Sequence, residues 1–390
     1  MKSRFKVVLA VVVSVIILST VVLTGCGNST TPAAASGSAA ADSGAAPASA
    51  VAAAAASNGY VWGSPAWEAA VKEKVQGKTL KIGFTPPAAS EFYDIIMHGA
   101  YSMMDEIHDR FGVNFQFEFV APSEHAAVES QVASIEDWVT KKFDAVLVCT
   151  AGDMSSMNDV FKKAQDAGMA IYLFNMPAEL WDTSTINAQS IIGYNNAQQS
   201  GYLIGQYMAT KLNGQGKGLF ISGNDGHWTT SRRNGFMEAL KQYPGMQVVG
   251  EQRGEYVRDK GMEAAENLLQ ANPDINFIYG ENEEMAQGAV QAVEARGLKL
   301  WDGTSGIIVV GADGLKSGFE QISKEGLTAT VDVGSVDQGR ESIRAIFMHE
   351  LLGYSLDKVI NVPTILVDKD NVTYPEAYVD WAMSFEKKYS

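Results

Sequence analysis

Residues 79–112 read TLKIGFTPPAASEFYDIIMHGAYSMMDEIHDRFG, and this stretch decides the fold. Its first seven residues are a β-rich run that ends in the turn pair Pro86-Pro87. From Glu91 the apolar residues fall at helical spacing, and the run stops at Gly112, a glycine placed as a C-cap. One strand followed by one amphipathic helix is the unit, and the chain repeats it.

VNFQFEFVAP, residues 113–122, alternates strictly and predicts a second strand. A helix from about His125 to Lys142 leads to the continuously apolar DAVLV from Asp144, and a helix capped by Asp153 leads through Gly168 into AIYLF. The same rhythm resumes after Asn196 with GLFISG, MQVVGE, INFIYG and GIIVVG, each followed by a helical stretch. Strands apolar on both faces and separated by helices imply a parallel sheet covered on both sides. Two such blocks predict an α/β protein of two doubly wound lobes.

The N-terminal part has a different character. Lys2, Arg4 and Lys6 precede an apolar run from Val7 to Leu23, the layout of a secretory signal peptide, slightly short of the ~20 apolar residues that span a bilayer. From Asn28 to Ser57 the chain is mostly Ala, Ser, Gly, Thr and Pro with Asp42 its single charge, too poor in apolar area to offset its ordering entropy. As a flexible coil of roughly 30 residues it reaches on the order of 30 Å. The formal net charge of -15 becomes -18 once the three basic residues leave with the signal. Such an acidic protein is a poor partner for nucleic acid.

In open α/β sheets ligands bind beyond the carboxyl ends of the strands. The residues there are Ser90, Phe92 and Tyr93, then Thr150 and Asp153, then Asn175, and in the second block Asn224 to Trp228, Tyr256, Asn282 and Asp313, with Arg232 nearby. They include no metal cluster, nucleophile elbow or phosphate loop. The set is suited to holding a small polar molecule, and it implies neither an enzyme nor a cofactor. Cys149, within an apolar run, reads as a small buried hydrophobe.

Four segments in register, WVTKKFDAVLVCTAGD from Trp138, TTSRRNGFMEALKQYPGMQVVGE from Thr229, GENEEMAQGAVQAVEARG from Gly280 and IIVVGADG from Ile307, resemble the periplasmic sugar-binding proteins of ABC importers. The match is to the ribose- and galactose-binding branch with the type I fold and covers Lys78 to about Val372. The resemblance implies two lobes joined by three crossings, near Tyr194, Gly334 and Pro363. It places the first lobe at 59–193 and 334–363 and the second at 194–333 and 364–390. The helix predicted by Ser64-Pro65 lies before that core.

Carried over, Phe92 and Tyr93 match an aromatic pair that packs on one ligand face, Tyr256 an aromatic of the second lobe, and Arg232, Asn282 and Asp313 its polar clamp. Ser90, Asn175, Trp228 and Val333 complete the expected ligand-binding set. Sugars suit these residues, since C–H faces sit on aromatic rings and hydroxyls bond to charged groups. Several residues also have a plainer role open to them: Asn282 as an N-cap, Asp313-Gly314 as a turn, one of Phe92 and Tyr93 as core, and Trp228 as cover for the lobe surface. Of the adjoining Arg232 and Arg233 one is turned to solvent, and the spacing to Gly235-Phe236 favours Arg232 as the inward one. Asn175-Met176 and Val333 depart from the family's polar pattern and imply a less hydroxylated or deoxy sugar, or a related small polyol.

LTGC, residues 23–26, resembles the lipobox of bacterial lipoproteins. It implies cleavage of residues 1–25, acylation of Cys26, a linker over 26–58 and anchoring on the extracytoplasmic face of the cell membrane. With that thiol acylated, Cys149 has no disulfide partner. The resemblance implies a monomeric binding protein for a monosaccharide or similar solute, with an ABC permease as partner. A ligand-sensing partner of a chemoreceptor or sensor kinase, or a binder of a nucleoside or furanosyl autoinducer, would carry the same cleft. A repressor of the related core is disfavoured, because the signal-like segment stands where a helix-turn-helix would be.

Overall fold

The computed structural model describes residues 63–122, 127–151, 154–176, 187–193 and 197–389. Contacts divide the chain into Met1–Ala48 and Ser49–Ser390, and every described residue belongs to the second unit. The signal-like segment, Cys26, the linker, Asp153 and Tyr194 lie outside the described residues. Among the described residues no helix is long and apolar enough to cross a membrane.

α1 (Pro65–Val75) starts at Ser64, whose hydroxyl accepts the Trp67 N–H at 3.2 Å. The founding unit is β1 (Thr79–Thr85) and α2 (Glu91–Phe111), which ends at Gly112 in the left-handed conformation. Then follow β2 (Asn114–Phe119), α3 (Val128–Thr140), β3 (Ala145–Val148), α4 (Asn158–Asp166), β4 (Ala170–Phe174) and β5 (Ser190–Ile192). The second block runs α5 (Ala197–Lys211), β6 (Gln215–Ser222), α6 (His227–Lys241), β7 (Gly245–Arg253) and α7 (Arg258–Ala271). It continues with β8 (Phe277–Gly280), α8 (Glu283–Ala295), β9 (Ile308–Asp313), α9 (Lys316–Ser323) and β10 (Ala329–Asp332). α10 (Ser335–Ile346), β11 (Val359–Ile360), β12 (Ile365–Asp368) and α11 (Thr373–Met383) complete the chain.

The strands form two sheets, β11-β5-β4-β3-β1-β2 and β12-β10-β9-β8-β6-β7. All pairings are parallel except β10 with β12. Both sheets therefore wind outward in the same order, with their switch points between β1 and β3 and between β6 and β8. The central strands β3, β8 and β9 are buried along their whole length, which is why they read as unbroken apolar runs. This is the doubly wound, two-lobed α/β architecture predicted from the sequence.

Each lobe has a tightly packed helix pair. In the second lobe a Cβ on Gly235 would lie 1.8 Å from the Gln198 carbonyl oxygen, so only glycine lets α6 approach α5 this closely. That contact fixes which face of α6 looks inward.

The C-terminal segment corrects one expectation. Residues 364–390 were assigned to the second lobe, and β12 does pair with β10 there. α11 and the residues after it instead join both lobes. Asp380 pairs with Lys316 of α9, while Tyr378 donates to Asp337 of α10 at 2.6 Å and Trp381 lies under the Arg340 guanidinium. Beyond the helix, the Phe385 carbonyl bonds His98 at 2.6 Å and the Tyr389 hydroxyl donates to Asp105 at 2.7 Å, both residues of α2 in the first lobe. Along the aromatic stripe of α11 itself Tyr374, Tyr378 and Trp381 stack ring to ring, Phe385 meets Trp381 edge to face, and the Arg340 guanidinium covers Trp381.

Candidate functional site

The carboxyl ends of both sheets face one cavity of about 630 Å³. Its first-lobe wall is built at the switch point between β1 and β3. Gln131, fully buried in α3, reaches the Pro86 and Cys149 carbonyls at 2.9 and 2.8 Å and accepts the Ala151 N–H at 2.7 Å. One amide thus ties together the loops that follow two strands. Sequence reading missed it, because a glutamine on a helix carries no signal of its own.

Ser90 occupies the N-cap position of α2 without making a capping bond, and it lines the cavity. Phe92 and Tyr93 both line it as well, their rings edge to face with centroids 5.1 Å apart. The Tyr93 hydroxyl is 3.8 Å from Cys149 Sγ, itself 3.8 Å from the Asn175 carbonyl oxygen. Burial drives the Cys149 thiol up to about 12 and the Tyr93 phenol well above its usual value. Both stay protonated, so Cys149 is no nucleophile.

Asn175 ends β4 in the left-handed conformation, with φ 49°. Its N–H donates to Ile192 O at 2.8 Å, and its side-chain Oδ1 is buried without a hydrogen-bond partner. Unsatisfied acceptors are costly, and this one belongs to a residue that lines the cavity.

The second-lobe wall is polar. Arg232 and Arg233 part as the α5–α6 contact requires: Arg233 pairs with Glu251 at the surface, and Arg232 points inward at 5% exposure. Arg232 donates to the Glu281 carbonyl at 2.9 Å and to Asp313 Oδ1 at 3.4 Å. Burial raises the Asp313 carboxyl to about 7 while Arg232 pulls it back down. Asn282 is an N-cap after all, accepting the Met285 N–H at 3.0 Å; it also lines the cavity and donates to the Tyr256 carbonyl at 3.3 Å.

Tyr256 sits at φ 63°, strained for an aromatic residue. Its ring fills the space above Gly223, where a Cβ would fall 2.0 Å from Tyr256 Cζ, and its hydroxyl bonds Thr229 Oγ1 at 2.6 Å. Buried Glu281 accepts the Gly223 N–H at 2.6 Å, and Glu283 accepts the Gly314 and Leu315 N–H groups at 2.7 and 3.0 Å. Glu281 thus holds the loop on which the Tyr256 ring packs, and Glu283 the turn that follows Asp313.

Two contacts bridge the walls. Trp228 Nε1 donates to the Asn175 carbonyl at 3.3 Å. Glu91 accepts the Ser317 N–H at 2.8 Å and its hydroxyl at 2.6 Å. Glu91 was passed over in the sequence because an acid in the first turn of a helix already suits the helix dipole. Glu284 also lines the cavity, bound to Arg258 at 2.9 and 3.0 Å.

Nine of the ten expected residues, Ser90, Phe92, Tyr93, Asn175, Trp228, Arg232, Tyr256, Asn282 and Asp313, line this cavity. Val333 does not. It is fully buried at the lobe crossing, where its carbonyl accepts the Gln338 amide at 3.1 Å. Met176, expected to bring its thioether into the cleft, is packed at 2% exposure beneath Thr150, and Met154 lines the cavity instead. Among the described residues no group of His, Cys, Asp and Glu could hold a metal ion.

Comparison with known proteins agrees with this geometry. The model of the periplasmic binding protein domain matches residues 82–352. The ribose import binding protein RbsB of Bacillus subtilis is 30% identical over 52% of this chain and 61% of its own length. The D-allose-binding periplasmic protein of Escherichia coli is 29% identical over 60% of this chain and 74% of its own. The chain therefore spans about three fifths of the first relative's length. Among solved structures, an ABC transporter solute binding protein from Bacillus halodurans with bound myo-inositol superposes with a TM-score of 0.66 at 26% identity, over 77% of this chain and 99% of its own. One from Actinobacillus succinogenes with bound D-allose has a TM-score of 0.67 at 23% identity, over 76% and 99%, a likeness of fold. These relatives are solute-binding proteins and not enzymes, and the chain belongs to the periplasmic binding protein family.

Proposed function

We propose that this protein captures a monosaccharide or related small polyol between its two lobes outside the cytoplasm and delivers it to an ABC importer. The observation that carries this reading is the buried Arg232–Asp313 pair facing a cavity ringed by Phe92, Tyr93, Trp228 and Tyr256. Hydroxyls bond such charged groups strongly, and the C–H face of a sugar or cyclitol rests on the rings. Ribose, allose and myo-inositol are the compounds named for relatives, which makes polyols the first ligands to try.

Binding by closure follows from the two cross-lobe contacts. A ligand touching both walls shifts the open–closed balance by its differential affinity for the closed form. In this reading Cys26 is acylated and the linker is a leash that keeps the protein beside its permease. Processing of wild type to an acylated mature form, lost in Cys26→Ala, tests the anchor.

Thermal unfolding of the full chain against pentoses, hexoses, cyclitols, nucleosides and amino acids tests the ligand. A ligand at a thousandfold excess over its Kd stabilises the native state by about 4 kcal/mol. A rise in Tm with a sugar or cyclitol supports the proposal. A rise with amino acids alone contradicts it.

A further inference from the structure

We infer that the ligand is a polyol bearing an apolar substituent, an O-alkyl or O-aryl sugar or cyclitol, whose ring faces the second lobe and whose substituent lies against the first. This rests on the proposed function and narrows its ligand class.

The two walls of the cavity present different chemistry. Pro87, Phe92, Tyr93, Cys149, Ala151 and Met154 line the first-lobe wall beside Ser90, Glu91, Thr150 and Asn175. Of these polar residues, Glu91 bonds Ser317 with both oxygens, and the Asn175 carbonyl takes the Trp228 indole N–H. A hydroxyl set against the apolar residues would lose its water without gaining a partner. A methyl or aryl group placed there gains by removing apolar area from water. The edge-to-face ring pair and the polarisable sulfurs of Met154 and Cys149 suit an aryl group especially.

Opposite, Arg232, Asn282 and Asp313 offer the bonds that a polyol ring needs. The volume of about 630 Å³ lies in the middle of the range for drug-sized ligands and leaves room beside a bare monosaccharide. Asn175, whose carbonyl takes the Trp228 indole N–H, lies at the seam between the walls.

Calorimetric titration of the full chain with matched pairs tests this. Glucose, galactose, ribose and myo-inositol would each be compared with their O-methyl derivatives, and the sugars also with their phenyl glycosides. In at least one pair the substituted member should bind tenfold or more tightly than its parent, and Met154→Gln should reduce that ratio below threefold. Parents that bind as tightly as every derivative, or derivatives that are excluded, would overturn the inference while leaving the proposed function in place. Heat from no member of either series would overturn both. The wild-type ratio decides the matter even if the variant does not fold.

Discussion

The two walls of the cavity stand on sheets of the same strand order, yet the Arg232 guanidinium, the Asp313 carboxyl and the Asn282 amide all lie on the second, beside Trp228 and Tyr256. Phe92, Tyr93, Cys149 and Met154 lie on the first with Ser90, Glu91, Thr150 and Asn175. Shared topology delivers loops to the same place beyond the strand ends, and the loop residues alone set the chemistry. The difference assigns work to each wall. In the proposed function the second lobe supplies hydrogen-bonding specificity, because a site built for a hydroxyl is left with unpaired polar groups when the hydroxyl is missing. The first, in the same reading, supplies apolar area and the surface onto which closure presses the ligand.

Removing the second-lobe clamp should break this division most completely. Arg232→Ala strands the buried Asp313 carboxylate and Asp313→Ala strands the guanidinium, a change that typically costs about 3–5 kcal/mol. Titration calorimetry on either variant should show affinity for the wild-type ligand reduced at least about hundredfold, roughly 2.7 kcal/mol. Retained affinity would mean that the polar wall is not the clamp.

Gly223→Ala probes the same wall without touching its charges. The added Cβ collides with the Tyr256 ring, so the ring or its already strained backbone has to shift. Overpacking of this kind costs about 1–3 kcal/mol, readable in urea unfolding together with weaker ligand binding.

Acidity sharpens the contrast further. Burial raises Asp313 and Asp332 to about 7 and Glu281 to about 6, all on the second lobe. A carboxyl raised in the folded state binds its proton more tightly there than in the unfolded chain, so its contribution is full below about pH 4 and is lost as pH rises through about 7. Unfolding of the ligand-free protein followed from pH 4 to 8 should show this loss, on the order of 1 kcal/mol or more per group, and Asp313→Asn should flatten the slope. An unchanged slope in that variant would show that Asp313 titrates normally.

The smallest effect belongs to the contact between the walls. Glu91→Gln turns charge-assisted bonds to Ser317 into neutral ones and leaves the cavity lining in place. Solution scattering of the ligand-free variant should report a larger radius of gyration, with affinity reduced about threefold, as expected for well under 1 kcal/mol. An unchanged radius would mean that Glu91 and Ser317 do not hold the lobes together.

Much of this could be read from residue order. Parallel strands buried on both faces announce themselves as apolar runs, and the spacing to Gly235-Phe236 favoured Arg232 over Arg233 as the inward arginine. The errors share a cause. Val333 and Met176 were placed by alignment to polar positions of the family, but a one-residue turn of the backbone decides between core and cavity, and residue type does not record it. Trp228 was expected in the cleft, but its bond to the Asn175 carbonyl on the other lobe could not be read from its neighbours. The C-terminal helix was misassigned for the same reason: Tyr378 and Trp381 find Asp337 and Arg340 across the lobe boundary, contacts that no local pattern encodes.

The most direct test of the account is a crystal structure of the protein with the tightest ligand from the matched pairs. It should show ring hydroxyls within hydrogen-bond distance of Arg232, Asn282 and Asp313, and the substituent against Phe92, Tyr93 and Met154. A ligand seated with its hydroxyls toward the first lobe, or bound outside this cavity, would contradict it.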